Sequence, residues 1–101
     1  MADFAVDRQG KVLKVSGAVS LATVPALLVT CLPAASADGM VLDLAAANPV
    51  DSSALALLIA LRRATEAKSG VFEVRSAPAA LHTLAGLYGV DFLIDNKAPA
   101  A

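Results

Sequence analysis

Apolar positions along this chain fall in short blocks cut by Gly, Pro, Ser and Asp, and the blocks alternate between two spacings. Residues 4–7 and 11–16 carry β-branched residues and flank Gln9-Gly10, the pattern of two strands joined by a tight turn. The apolar segment after Ser20 predicts a helix starting near Val24. Ser20 is its expected N-cap, Pro25 lies in its first turn, and Pro33 is its stop. Residues 40–44 (Met-Val-Leu-Asp-Leu) form a nearly continuous apolar run of the kind found in strands buried on both faces. Residues 45–50 read as a loop. Asp51-Ser52-Ser53 opens the longest helix, which runs to about Lys68 and stops at Ser69-Gly70. Residues 71–75 form another strand. Pro78 starts a helix through Leu81, Leu84, Leu87 and Tyr88, Gly89 ends it, and residues 90–94 read as a last short strand.

A strand, helix, strand, helix succession requires parallel pairing with helical crossovers. Right-handed crossovers place both long helices on one face of the sheet. The expected fold class is therefore α/β: a mostly parallel central sheet of four to five strands, with an opening hairpin and three helices. A chain of 101 residues accommodates one such core and not two. Residues 1–95 are expected to form a single domain and 96–101 a frayed tail. No internal repeat is present.

Composition narrows the function classes. Hydrophobic residues make up 57% of the chain, which excludes global disorder. With three Phe, one Tyr and no Trp, the core must rest on Leu, Val and Ile. The net charge is −1 and Arg62-Arg63 is the only adjacent basic pair, placed near a helix end; no nucleic-acid partner is expected. A lone Cys31 in an apolar stretch forms no internal disulfide and reads as a small buried residue, in keeping with a reducing, cytoplasmic compartment. The first residues carry Asp where a secretory signal carries Lys or Arg. Residues 15–37 are uncharged over 23 positions, long enough to span a bilayer. Gly17, Pro25 and Pro33, with five Ser and Thr, break that stretch, so no direct membrane insertion is expected.

Catalytic chemistry is missing from the sequence. There is no glycine-rich phosphate loop, and one Cys with one His makes no zinc site. His82 stands alone on the third helix. A Ser52–His82–Asp51 triad fails because Asp51 and Ser52 are adjacent and nothing places His82 as a base. The expectation is no enzyme, no metal and no cofactor.

The informative stretch is Val50-Asp51-Ser52-Ser53-Ala54-Leu55-Ala56-Leu57-Leu58. It puts acceptor side chains where a helix presents unpartnered amides. One reading is an N-cap by Asp51 or Ser52, which stabilises by roughly 1 kcal/mol. The other is a contact site, since a phosphate on Ser53 or a partner protein would meet the same amides and the positive end of the dipole. On a helical wheel, Ala54, Leu57, Leu58, Leu61 and Thr65 share the face that packs on the sheet. Leu55 and Ile59 fall on the flank, with Ala56 and Ala60 nearly opposite the core. Either the third helix or the N-terminal segment covers that flank, or it is an apolar docking patch beside Ser52.

Asp51-Ser52-Ser53-Ala54-Leu55-Ala56-Leu57-Leu58 resembles the Asp-Ser/Thr-Ser/Ala-Gly-Leu signature of STAS domains. That family includes anti-sigma-factor antagonists and the MlaB-type STAS subunit of the Mla phospholipid-transport ABC system. The resemblance runs from the opening hairpin to about Ile94. Residues 40–44 followed by Val50-Asp51, and residues 81–90 with Leu87-Tyr88 before a turn, are similar to the MlaB branch. The resemblance implies a STAS-type fold and a non-catalytic subunit, peripheral at the inner membrane, that docks on the cytoplasmic ATPase of a lipid transporter. Its implied contact residues are Asp51, Ser52, Ser53, Leu55 and Ile59, with Ser52 where the transport subunit has a functional Thr. The alternative it implies is an anti-sigma-factor antagonist whose Ser53 is phosphorylated by a kinase-type anti-sigma factor. Ala54 departs from the family Gly, which weakens the phosphorylation alternative somewhat and leaves the fold untouched.

Overall fold

The two periodicities read from the sequence become four strands and four α-helices in the computed structural model, which describes residues 4–95. Strands β1 (Phe4–Gln9) and β2 (Val12–Val19) form the opening antiparallel hairpin around Gly10, whose φ of 61° suits glycine in the turn. Helix α1 (Val24–Cys31) crosses to β3 (Met40–Val50), and α2 (Ser53–Glu66) crosses to β4 (Phe72–Arg75). Helices α3 (Ala79–Leu87) and α4 (Phe92–Asp95) follow. The sheet order is β1-β2-β3-β4, with β2–β3 and β3–β4 parallel. A mostly parallel sheet with an opening hairpin is what the sequence predicts, with four strands among the described residues. Residues 96–101, expected as a tail, lie outside the described residues.

Burial follows the helical wheel. Ala54, Leu57, Leu58, Leu61 and Thr65 are all buried, and they join Leu13, Val15, Met40, Leu42, Leu44 and Leu81 in one core. Thr65 lies in this apolar layer because its hydroxyl donates to the Leu61 carbonyl at 2.8 Å, so no polar group is stranded.

Four local expectations are corrected. First, residues 45–50 are not a loop: β3 continues to Val50 because β2 runs alongside to Val19, and the two pair through two register shifts. Among the described residues this half of β3 has no strand on its other side, since β4 pairs only with residues 40–43. That edge tolerates Pro49, which follows a cis peptide bond. Second, residues 90–94 contribute a helix and not a strand. Asp91 accepts the amides of Ile94 and Asp95, and Leu93 and Ile94 are buried. Third, α1 is preceded by Thr23 and not by Ser20. The Thr23 Oγ1 accepts the Ser20 N–H at 3.0 Å and donates to the Ala18 carbonyl at 2.8 Å, closing the turn between β2 and α1. Fourth, Ser69, not Gly70, adopts the left-handed conformation after α2, with φ 65°.

Candidate functional site

Because β2 and β3 are parallel, the turns that follow them emerge at the same edge of the sheet, the end at which open α/β sheets place their binding sites. The first turn carries Ser20, Leu21 and Ala22; the second is Asp51-Ser52. Asp51 joins them. Its Oδ2 accepts the Leu21 N–H at 3.0 Å, and its Oδ1 accepts the Ser53 N–H at 2.9 Å and the Ser53 hydroxyl. The backbone adds a further tie, with the Asp51 N–H donating to the Val19 carbonyl at 3.2 Å. The Ser53 hydroxyl, then the Leu21 N–H, hold the Asp51 carboxyl below its ordinary value, against a smaller opposing effect of desolvation. The capping is thus done by Asp51. Ser52 occupies the N-cap position of α2 without a side-chain capping bond.

The two serines are placed differently. Ser53 is half-buried and its hydroxyl is committed to Asp51. Ser52 is exposed, and it lines a groove of about 280 Å³ together with Leu55, Ile59, Tyr88 and Val90. The flank of α2 divides in the same way. Leu55 is buried at 6% exposure and forms a wall of the groove, whereas Ile59 is 37% exposed and Tyr88 62%. Tyr88 and Val90, in the segment after α3, line the groove beside this flank, which is covered at Leu55 and partly open at Ile59.

Tyr88 and Val90 were not foreseen as part of this site, nor was Leu21, which is 77% exposed on the first turn. Tyr88 was legible only as the end of a helix. Leu21 carried one usable signal: a large apolar residue in a turn that parallel pairing brings beside the start of α2. His82 is exposed on α3, outside the residues that line the groove, so the paper triad does not assemble. Cys31 is fully buried, and burial pushes its thiol up to about 11. Among the described residues no group of three or more His, Cys, Asp or Glu is arranged to hold a metal ion, and no helix is long and apolar enough to cross a membrane. The geometry offers a hydroxyl beside an apolar concavity at the mouth of a helix.

A fold of this order, with an Asp-Ser-Ser junction at the start of its longest helix, defines a class. The chain belongs to the STAS domain family: the family model described as "Mlab, STAS domain" matches residues 3–95. Among solved structures, an anti-sigma factor antagonist from Mycobacterium paratuberculosis is similar at 28% identity, with a TM-score of 0.68 over 90% of this chain and 80% of that one. An anti-sigma-factor antagonist (STAS) domain protein from Planctomyces limnophilus shares the fold at 20% identity and a TM-score of 0.72, over 92% and 87% of the two chains. The antagonist SpoIIAA in its unphosphorylated form does so at 13% identity and a TM-score of 0.71, over 90% and 84%. No curated protein matches the chain.

Proposed function

We propose that this chain is a non-catalytic STAS subunit that docks, through the opening of α2, on the cytoplasmic ATPase of a bacterial phospholipid-transport ABC system of the Mla type. The observation that carries the docking reading is the exposed Ser52 beside a groove walled by Leu55, Ile59, Tyr88 and Val90. The description of the matching family supports the transport assignment. Closing a partner over the groove would bury the exposed parts of Ile59 and Tyr88. Full burial of such side chains contributes roughly 1.5–3 kcal/mol each, before the cost of association. Ser52 supplies the directional contact, and Asp51 and Ser53 hold it in place. In this reading the subunit works by binding, supports assembly or activity of the ATPase, and reaches the inner membrane only through its complex.

Co-purification with the ATPase tests the proposal. Ser52→Ala and Ile59→Glu are expected to weaken the complex at least about tenfold while leaving the melting temperature within a few degrees. Leu55→Glu is unsuitable because it places a charge in the core. An undiminished complex with both variants overturns the assignment.

The similarity to the Mycobacterium paratuberculosis antagonist favours a second reading, an anti-sigma-factor antagonist switched at Ser53. A phosphoryl group there would replace the Ser53–Asp51 hydrogen bond by repulsion between two anions. Incubation with a kinase-type anti-sigma factor and ATP, read by intact mass, separates the readings: the switch predicts one added phosphate on Ser53, and transport docking predicts none.

A further inference from the structure

Leu21 is one of the most exposed large apolar residues described, at 77%, yet the backbone beneath it is not free. Its amide is held by Asp51 Oδ2, while Asp51 Oδ1 carries the first turn of α2 through the Ser53 amide and hydroxyl. One carboxylate therefore serves two chain segments 30 residues apart. Two of its bonds reach backbone amides, which a hydroxyl or a neutral amide in its place does not reproduce on both sides at once. An N-cap alone requires only the Oδ1 half of this arrangement. The Oδ2 half ties down a turn whose Leu21 is 77% exposed.

We propose that Asp51 is a positioning residue of the docking site. It locks the turn between β2 and α1 against the opening of α2, so that Leu21 forms a second lip of the contact surface across from the Ser52 groove. This rests on the docking reading above and adds to it a contact residue, Leu21, and a reason for the second oxygen of Asp51. A large apolar side chain presented on a pinned turn has lost conformational entropy before the partner arrives, so its burial is less opposed by ordering. Asp51 does not touch the partner in this arrangement and acts through Leu21.

The test has an arm that needs no partner. In Asp51→Asn the remaining carbonyl oxygen stays on Ser53, where it keeps two hydrogen bonds, and the Leu21 N–H loses its acceptor. Amide exchange read by NMR is expected to accelerate at Leu21 by about tenfold or more while the Ser53 amide stays protected. Unchanged exchange at Leu21 overturns the lock. The second arm is a double-mutant cycle on affinity for the transporter ATPase. Leu21→Ala alone is expected to weaken binding about tenfold without a change in melting temperature, and Asp51→Asn in the Leu21→Ala background to add little. Additive losses, or full affinity in Leu21→Ala, overturn the role given to Leu21. Ile59→Glu keeps the two levels apart. If it weakens binding while Leu21→Ala leaves affinity unchanged, the inference fails and the docking reading stands; if Ile59→Glu and Ser52→Ala both leave binding undiminished, the docking reading itself fails, and the exchange arm still decides whether the lock exists.

Discussion

At Gly70 the backbone leaves no room for a side chain. A Cβ there would lie 2.1 Å from the Ser36 carbonyl oxygen and 3.0 Å from the Gly39 nitrogen. Glycine is needed at this position for close approach, and the left-handed turn that glycine usually supplies after a helix falls instead on Ser69. Gly70→Ala is expected to cost about 1–3 kcal/mol, since neither contact is the flexible end of a side chain. The loss reads as a lower urea midpoint at unchanged slope, and an unmoved midpoint contradicts the packing. Asp51 makes a second residue-scale prediction. Its folded carboxyl lies below the ordinary value of 3.8, so in acid the unfolded chain binds the proton more readily. The stabilisation is thus present above the ordinary value and is lost as pH falls through the folded one. Urea titrations of Asp51→Asn against the parent should show a constant difference above about pH 5 that shrinks below about pH 4.

Among the elements, α4 teaches most about the limits of pattern. Val90-Asp-Phe-Leu-Ile94 has the composition of a short strand, and no local feature opposes that reading. What decides is tertiary: Leu93 and Ile94 are buried, and Arg62 of α2 lies over the Phe92 ring at 5.1 Å while reaching the Phe92 carbonyl at 3.5 Å. The same Arg62 also pairs with Glu66 at 3.2 Å. Arg62→Ala is expected to lower stability by about 1–2 kcal/mol and to speed amide exchange in α4, through the cation–π contact and the hydrogen bond. Glu66→Ala, which removes only an exposed i,i+4 pair, should stay within about 0.5 kcal/mol. Equal losses in the two variants would assign the stability to the ion pair and not to the anchoring of α4. Strand β3 makes the complementary point. Residues 45–49 are three Ala followed by Asn-Pro, so nothing local marks a strand there, but the parallel partner β2 extends the ladder through to Val50.

Across the whole molecule, one face of the sheet enters the core through Leu13, Val15, Leu42, Leu44 and Val74, and the register shows how the other stays in water. Asp7 pairs with Lys14, Lys14 with Asp43, and Asp43 with Arg75, which makes a row of alternating charge across all four strands. Opposite charges directly across a ladder contribute roughly 0.2–1 kcal/mol a pair, and like charges cost similar amounts. Lys14→Glu would set three carboxylates side by side. It is expected to cost about 1 kcal/mol in dilute buffer and less at high salt, where exposed charges are screened; a loss that ignores salt would show that the row is not electrostatic. This open face also limits the inference drawn from residues 40–44. Met40, Val41, Leu42 and Leu44 are buried, but Asp43 stays half-exposed in the charged row, so β3 is not interior on both sides along its length.

Alone, the amino-acid sequence determined the order of the elements as far as α3, the face of α2 that enters the core, the parallel crossovers and the Asp-Ser-Ser junction, because these follow from spacing, propensity and capping chemistry among near neighbours in the chain. Only the tertiary structure decided that Leu55 is covered while Ile59 is open, that Ser53 is engaged while Ser52 is free, and that Leu21 is pinned to Asp51. Those outcomes depend on which distant segments arrive beside a residue, and a one-residue shift in register or a strand turned helix changes them without altering any local pattern.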